Sequence, residues 1–208
     1  MAKKSQSDLK KTWKKIWWFI WESNSVWSWI VNILLAFIII KFIIYPGLGF
    51  LVGTSHPVVA VISTSMEHNG NNVDEWWSSE CCMDVLCTKK LSQEDLYMPY
   101  LITKNKFEDY SFKKGFNKGD IMILVNPKKA GVGDVIVFYT SHRREPIIHR
   151  VVYMNETSFA TKGDNNCGSW DFEADIPKDK VIGKAVARVP WLGWIKIGFM
   201  NLLKLFGG

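Results

Sequence analysis

Apolar positions change their spacing along this chain, and each spacing predicts a different element. From about Val26 to Tyr45 they run almost unbroken, with Lys41 near the far end. A bilayer takes ~20 such residues to cross, so the run predicts a membrane-spanning helix. Lys41 lies close enough to its end to snorkel, Trp27, Trp29 and Tyr45 fit interfacial positions, and Pro46-Gly47-Leu48-Gly49 reads as the closing turn. Further on, short β-branched runs alternate with turn chemistry. Ile121 to Val125 precedes Asn126-Pro127, Val135 to Tyr139 precedes a charged loop, and Ile147 to Tyr153 precedes Asn155-Glu156-Thr157. Ser158 to Lys162 and Val181 to Arg188 follow. With Val58 to Ile62, these predict a mainly β domain built from antiparallel strands.

The segment 67–116 breaks this pattern, being polar, tryptophan-bearing and poor in β-branched residues. It predicts a helical or irregular insertion. Asp74 is placed to cap a helix carrying Trp76 and Trp77, and Ser92, with Glu94 and Asp95 behind it, to cap another that closes at Pro99. The tail from Val189 to Phe206 is apolar but carries Lys196 and Lys204. It reads as a second span or, favoured by the lysines and nearby glycines, as an amphipathic segment on the membrane surface. The expected organisation is a basic segment over 1–25, an anchor over 26–45, a β domain over 46–188 containing the insertion, and a membrane-associated tail over 189–208.

Charge orients this arrangement. The chain has 208 residues, 26 Lys+Arg and 20 Asp+Glu, a length suited to one domain plus an anchor. Lys3, Lys4, Lys10, Lys11, Lys14 and Lys15 precede the apolar run, and no Lys or Arg stands between Lys41 and Lys89. Lysine-rich flanks stay on the cytoplasmic side, so the amino terminus is expected inside and the chain after Tyr45 outside. Basic residues placed in this way point to a bilayer, not to nucleic acid. Lysines and tryptophans interleave at helical spacing from Lys10 to Trp21, which suits the headgroup layer; a solvated basic tail is the plain alternative. A cleaved signal peptide is the rival to the anchor, but its apolar core would be shorter and end in a small-residue cleavage motif.

Cys81, Cys82, Cys87 and Cys167 are the cysteines. An extracytoplasmic domain permits disulfides, either Cys82 with Cys87 or a member of the cluster with Cys167, and the sequence does not choose. Zinc would need a second well-spaced ligand pair; no metal or cofactor is expected.

The chemistry centres on Ser65, which follows a β-rich strand and precedes Met66-Glu67. Ser-Thr-Ser is ordinary loop composition by itself. Hydrolysis by serine needs a base, donors for the oxyanion and commonly a carboxylate that orients the base. His149 offers the base: in a strand it shares a face with Ile147 and Val151, and apolar neighbours disfavour the imidazolium form. Ser63 shares a face with Ser65, although a turn-forming hydroxyl explains it equally well.

Several strings sharpen this reading: Val-Ile-Ser-Thr-Ser-Met-Glu ending at Glu67, Gly133 to Phe138, Ile-Ile-His-Arg-Val at Ile147 to Val151, and Thr-Lys-Gly-Asp-Asn-Asn at Thr161 to Asn166. In that order, behind an apolar anchor, they resemble the type I signal peptidases, specifically the archaeal and endoplasmic-reticulum branch, in which the serine works with a histidine. Thr64 and His68 stand where that family has Gly and Pro, and 67–116 replaces a short link; the resemblance covers about Val58 to Glu67 and Gly119 to Lys196.

The resemblance implies an antiparallel catalytic domain with Ser65 as nucleophile, His149 as general base, and an oxyanion site from Ser63 and the Ser65 N–H. It implies Asp171 as the carboxylate that orients His149 and Asp164 as a supporting group. It further implies a serine endopeptidase of the cell membrane that removes signal peptides from translocated preproteins, cutting after small residues, in contact with the bilayer and the translocation machinery. His68 is a lower-ranked base, His56 and His142 read as loop residues, and Asp175 as a surface carboxylate. Asp120 and Asp134 suit Asx-type turns. The alternative function is a non-catalytic, membrane-anchored β module that binds secreted or cell-surface partners through the tryptophan-rich insertion. If the chain is the enzyme, Trp76 and Trp77 are expected to cover part of the cleft or touch the membrane, unless they merely pin the insertion to the β domain.

Overall fold

The computed structural model describes residues 2–68 and 72–207, with side chains over 8–68 and 72–202; the side chains of Lys3, Lys4 and Lys204 lie outside that description. The chain divides into two compact units, Met1–Leu48 and Gly49–Gly208.

The first unit opens with α1 (Ala2–Trp21), followed by α2 (Val26–Ile39). Ser25 caps α2 by accepting from the Ser28 N–H at 3.1 Å. Ser28 Oγ donates to Phe19 O at 2.5 Å and Asn32 Nδ2 to Ile20 O at 2.8 Å. The last carbonyls of a helix have no partner inside it, so the two polar residues of α2 close the end of α1. Helical structure continues through a π turn, Ile40–Ile44, into α3 (Tyr45–Val52). The stretch Val26–Val52 has 27 residues and contains an 18-residue window with a mean hydropathy of 2.3, enough by length and composition to cross a bilayer.

The expected turn at Pro46 to Gly49 is therefore helical instead. Proline breaks a helix by lacking an N–H and by crowding the preceding turn. Here the bond from Tyr45 N–H reaches back to Ile40 O, and this widened turn absorbs the proline.

In the second unit a single sheet carries the fold. Its strands are β1 (Val58–Ala60), β4 (Ile121–Val125), β5 (Val135–Thr140), β6 (Arg143–Met154), β7 (Ser158–Lys162), β8 (Ile176–Pro177) and β9 (Val181–Val189); β2 (Glu80–Cys82) and β3 (Lys90–Ser92) form a separate hairpin. The spatial order is β1-β4-β9-β5-β6-β7-β8 and every pairing is antiparallel. The mainly β, antiparallel fold expected from the sequence is the fold observed.

Both faces of β5 are covered, which explains its near-continuous apolar run. Val135 and Val137 join Val61, Met66, Phe116, Leu124 and Ile148 in one core, while Ile136 and Phe138 join Val151, Phe159 and Ile176 in another. Alternate residues of a strand point to opposite faces, so β5 divides its apolar side chains between two layers.

The insertion is an ordered body. It contains α4 (Val73–Trp77), α5 (Gln93–Tyr97), α6 (Lys104–Glu108) and the β2–β3 hairpin, which the sequence did not suggest. Ser92 caps α5 as expected, in a capping box with Asp95, whereas Asn72 rather than Asp74 caps α4. Trp76, Trp77, Tyr97, Ile102 and Phe107 are buried together against Val152 and Ala160 of β6 and β7. The two tryptophans are thus pinned beneath the insertion and do not cover the cleft, which corrects that expectation: adjacent aromatics gain most by burying both rings in one core. The disulfides Cys82–Cys87 and Cys81–Cys167 form together; the first closes the hairpin tip and the second ties β2 to the loop after β7. The last helix, α7 (Trp194–Gly207), has 14 residues; at ~1.5 Å per residue it rises about 21 Å, less than the ~30 Å hydrocarbon core.

Candidate active site

Ser65 lies in the tight turn that follows β1. The strand lead-in is fixed by bonds from Val61 N–H to Asp120 O at 2.8 Å and from Gly119 N–H to Val61 O at 2.9 Å. Beyond the turn, the Met66 side chain is buried in the core and Met66 O accepts from Phe116 N–H at 3.0 Å. Ser65, itself half-buried, is held between a strand and a buried anchor.

His149 comes from β6. Its Nε2 is 3.0 Å from Ser65 Oγ, and its Nδ1 bonds Glu173 Oε1. A carboxylate only accepts, so Nδ1 carries the proton and Nε2 is left to accept from the serine hydroxyl. Glu173 is fully buried in the 3-10 turn Asp171–Glu173. Burial pushes its carboxyl up, but bonds from His149, the Trp170 N–H and Thr161 outweigh burial and hold it below the ordinary glutamate range.

Asp171 is therefore not the carboxylate on His149. It stands at the exposed start of the same turn, two residues before Glu173. A 3-10 turn rotates successive side chains by a third of a circle, so only the third residue of Asp-Phe-Glu faces inward. The longer glutamate side chain then reaches the imidazole. Asp175 is exposed, as expected of a surface carboxylate.

Asp164 is buried beside the Ser–His–Glu line but does not touch it. Arg150 grips it with two bonds, Nε to Oδ1 at 3.0 Å and Nη2 to Oδ2 at 2.7 Å. Tyr97 Oη donates to Oδ1 at 2.7 Å, and His68 Nε2 lies 2.9 Å from Oδ2. Burial alone would raise this carboxyl; Arg150 and His68 reverse that and hold it well below the usual carboxylate range. Arg150 also donates to the carbonyls of Ser111, Phe112 and Gly133, so one guanidinium locks the end of the insertion to the sheet. His68 stacks on Trp76 with ring centroids 3.8 Å apart. It belongs to this second network, and among the described residues no hydrogen bond joins it to Ser65.

The loop 163–166 joins the two networks. Asn165 N–H donates to Ser65 O at 2.8 Å, Asn165 Nδ2 to Thr64 O at 3.2 Å, and Asp164 N–H contacts Met66 Sδ at 3.4 Å. A Cβ at Gly163 would lie 2.6 Å from Asn166 Nδ2 and 2.9 Å from His149 Nε2, the atom bonded to Ser65 Oγ, so a larger residue there would displace one of them. Ser63 Oγ is 3.1 Å from Ser65 Oγ, on the same side as expected. Asp120 and Asp134 accept from the N–H groups of Asn117 and Gly131, both at 2.9 Å, which is turn closure.

Replacing Arg150 with Met removes every partner but Tyr97 and His68 from a buried carboxylate. Breaking a buried ion pair costs ~3–5 kcal/mol. Arg150→Met is expected to lose that much in denaturant unfolding of the purified chain; a loss under ~1 kcal/mol, the scale of an exposed pair, would show that Asp164 is not held as described.

A cleft of about 650 Å³ opens in front of Ser65, with Ala60, Ile62 and Ser63 on one wall and the Arg143 to His149 part of β6 on the other. Trp170 and Phe172 line its end. β6 pairs with β7 only from Arg150 onward, and β1 pairs with β4 alone. Two strand edges without a described strand neighbour therefore flank one groove.

No family model matches the chain. Among curated proteins it is 34% identical over 123 residues to the signal peptidase complex catalytic subunit SEC11 of Lachancea thermotolerans, covering 46% of this chain and 70% of that protein. The Plasmodium falciparum SEC11 is 31% identical over 97 residues, and the human SEC11C is 30% identical over 105 residues, with 53% and 52% of those proteins covered. The matched part thus spans little more than half the length of these last two relatives. The match to the Lachancea protein, together with an antiparallel sheet of the expected kind, places the chain by descent: it belongs to the family of signal peptidase complex catalytic subunits.

Proposed function

We propose that this protein is a membrane-bound serine endopeptidase that removes signal peptides from translocated preproteins. The observation that carries the reading is the line Ser65 Oγ, His149 Nε2 at 3.0 Å, and His149 Nδ1 on the buried Glu173. A non-catalytic binding module has no use for a buried carboxylate aimed through an imidazole at a serine.

The chemistry follows from the geometry. A preprotein segment enters the cleft as an added strand between the β1 and β6 edges, which extends it and exposes its carbonyl. Ser65 attacks while His149 takes its proton, and the tetrahedral intermediate collapses to an acyl-enzyme as His149 protonates the leaving amine. His149 then activates water. Glu173 keeps the proton on Nδ1 and stabilises the transient imidazolium, the role of the carboxylate in such triads. Ser63 Oγ and the Ser65 N–H are the proposed oxyanion donors. Asp164 supports the site through Arg150 and the 163–166 loop. The resemblance adds a preference for small residues before the cleaved bond.

The apolar helix Val26–Val52 fits a membrane anchor. The lysines before it argue for a cytoplasmic amino terminus and a catalytic unit on the opposite side, where disulfides persist. The relatives are named as subunits of a complex, so partner subunits and the translocation machinery are proposed neighbours.

The test is reconstitution. The full chain in lipid vesicles is incubated with a secretory preprotein, and the product is sequenced from its new amino terminus. One cut at the signal-peptide boundary is expected; an uncut preprotein, or cuts scattered along the chain, would sink the reading.

A further inference from the structure

One buried amine lies behind the site and takes no part in the chemistry. Lys162, at the end of β7, is 1% exposed. Its Nζ donates to Gln93 Oε1 at 2.8 Å, to Gly163 O at 3.1 Å and to Asp164 O at 3.3 Å, and it lies 4.6 Å from the centroid of the Tyr97 ring. Three acceptors match the three protons of an ammonium group. Gln93 and Tyr97 belong to the insertion; Gly163 and Asp164 begin the loop that seats Ser65 and His149.

We propose that Lys162 is a positioning residue: it ties the Gly163 and Asp164 carbonyls to Gln93 of the insertion, and so fixes the loop against which nucleophile and base are aligned. This rests on the peptidase reading above.

Three further contacts run the same way. The Cys81–Cys167 disulfide ties the other end of this loop to β2 of the insertion. Gln93 Nε2 lies 3.7 Å from Cys81 Sγ, which joins the amine and the disulfide in one strut. Tyr97 Oη holds the Asp164 side chain at 2.7 Å while Lys162 holds its carbonyl. The consequence for catalysis comes through Gly163 and Asn165. The first packs its Cα where a single methyl group would strike His149 Nε2, and the second donates to the Ser65 carbonyl. If the loop shifts at Gly163, the distance from oxygen to imidazole changes with it. The insertion, which departs most from the family pattern, therefore braces the catalytic pair from behind. Burial draws the amine of Lys162 down to about 7 while Asp164 opposes the change, so one of its three donors is given up as pH rises through that value.

The test compares kcat with KM. Lys162→Met keeps the length and apolar stem and removes the donors. Gln93→Leu removes the acceptor on the insertion, and Gln93→Glu keeps an acceptor there. Each full-length variant is reconstituted in vesicles, its melting temperature is measured, and preprotein cleavage is followed. A misplacement near 1 Å costs about 100-fold, so Lys162→Met and Gln93→Leu are expected to lower kcat roughly ten- to hundredfold, with KM within about twofold. Gln93→Glu is expected to restore most of kcat. Wild-type kcat in Lys162→Met or Gln93→Leu would overturn the proposal. So would a rise in KM in place of the fall in kcat, or Gln93→Glu as slow as Gln93→Leu. If Lys162→Met does not fold, the Gln93 pair decides the matter. Cleavage by the wild type that survives Ser65→Ala would remove the peptidase reading itself. Ser65-dependent cleavage indifferent to Lys162 and Gln93 would remove only the brace.

Discussion

Ser65→Ala is expected to lower the rate of preprotein cleavage by about a millionfold, the scale seen when a triad serine is removed from a serine protease. The alcohol is a weak nucleophile until a base takes its proton, and Ser65 Oγ is the hydroxyl bonded to His149 Nε2, at 3.0 Å. Ser63 Oγ is 3.1 Å from the Ser65 oxygen, but its described bond goes to Ser65 and not to the imidazole. It cannot inherit the role without a shift of the whole turn. Ser63→Ala is a graded control: loss of one oxyanion donor costs roughly 10²–10³-fold in kcat. Both variants should melt as the wild type does, because Met66, and not either serine, is buried in the core. Cleavage is measured by the band shift of a radiolabelled preprotein. Turnover by pure Ser65→Ala within ~100-fold of wild type, far above the residue left by a triad knockout, would take Ser65 out of the mechanism.

The second expected effect separates two carboxylates in one turn. Glu173→Gln should lower kcat by about 10⁴-fold, the cost of giving the base the wrong tautomer, while Asp171→Asn should leave cleavage unchanged. An amide can offer its NH2 to Nδ1, which drives the proton to Nε2 and removes the acceptor that Ser65 needs. Glu173 has no exposure and Asp171 is exposed, so only one of them senses the imidazole. The same pair gives a pH signature. The folded carboxyl of Glu173 is held below its ordinary value, so it binds its proton less readily than in the unfolded chain. Its contribution to stability is complete at neutral pH and is lost as pH falls through that depressed value. Glu173→Gln should flatten this acid-side loss in a pH series of melting curves. A large activity loss in Asp171→Asn with Glu173→Gln unaffected would reverse the assignment.

Much of the scaffold was legible from pattern. The runs at Ile121 to Val125 and Ser158 to Lys162 became strands with those bounds, because β-branched residues between turn residues have few other uses. Ser92 and Asp95 formed their cap because that motif is satisfied locally. Ser65 and His149 were legible as candidates mainly through the resemblance of their surrounding strings to the signal peptidases, since Ser-Thr-Ser and a lone strand histidine leave only weak local marks. The β2–β3 hairpin was not legible: its strands are three residues each, too short to establish a period. Nor was the helical path through Pro46, since a widened turn has no signature in composition.

The sequence by itself determined the strands of the main sheet, their order along the chain and the apolar helix. Those follow from periodicity, capping and turn preference, which act over a few neighbouring residues. Tertiary structure alone decided how far-separated groups meet. Asp171 and Glu173 are equally good carboxylates on paper, and the rotation of one 3-10 turn chose between them. Trp76 and Trp77 suited a lid as well as a core, until β6 and β7 supplied the apolar floor that buried them. Cys167 found Cys81 across 86 residues, and Lys162 found Gln93, because the insertion folds back onto the sheet. Each outcome depends on distances between segments remote in the chain, and no local rule carries that information.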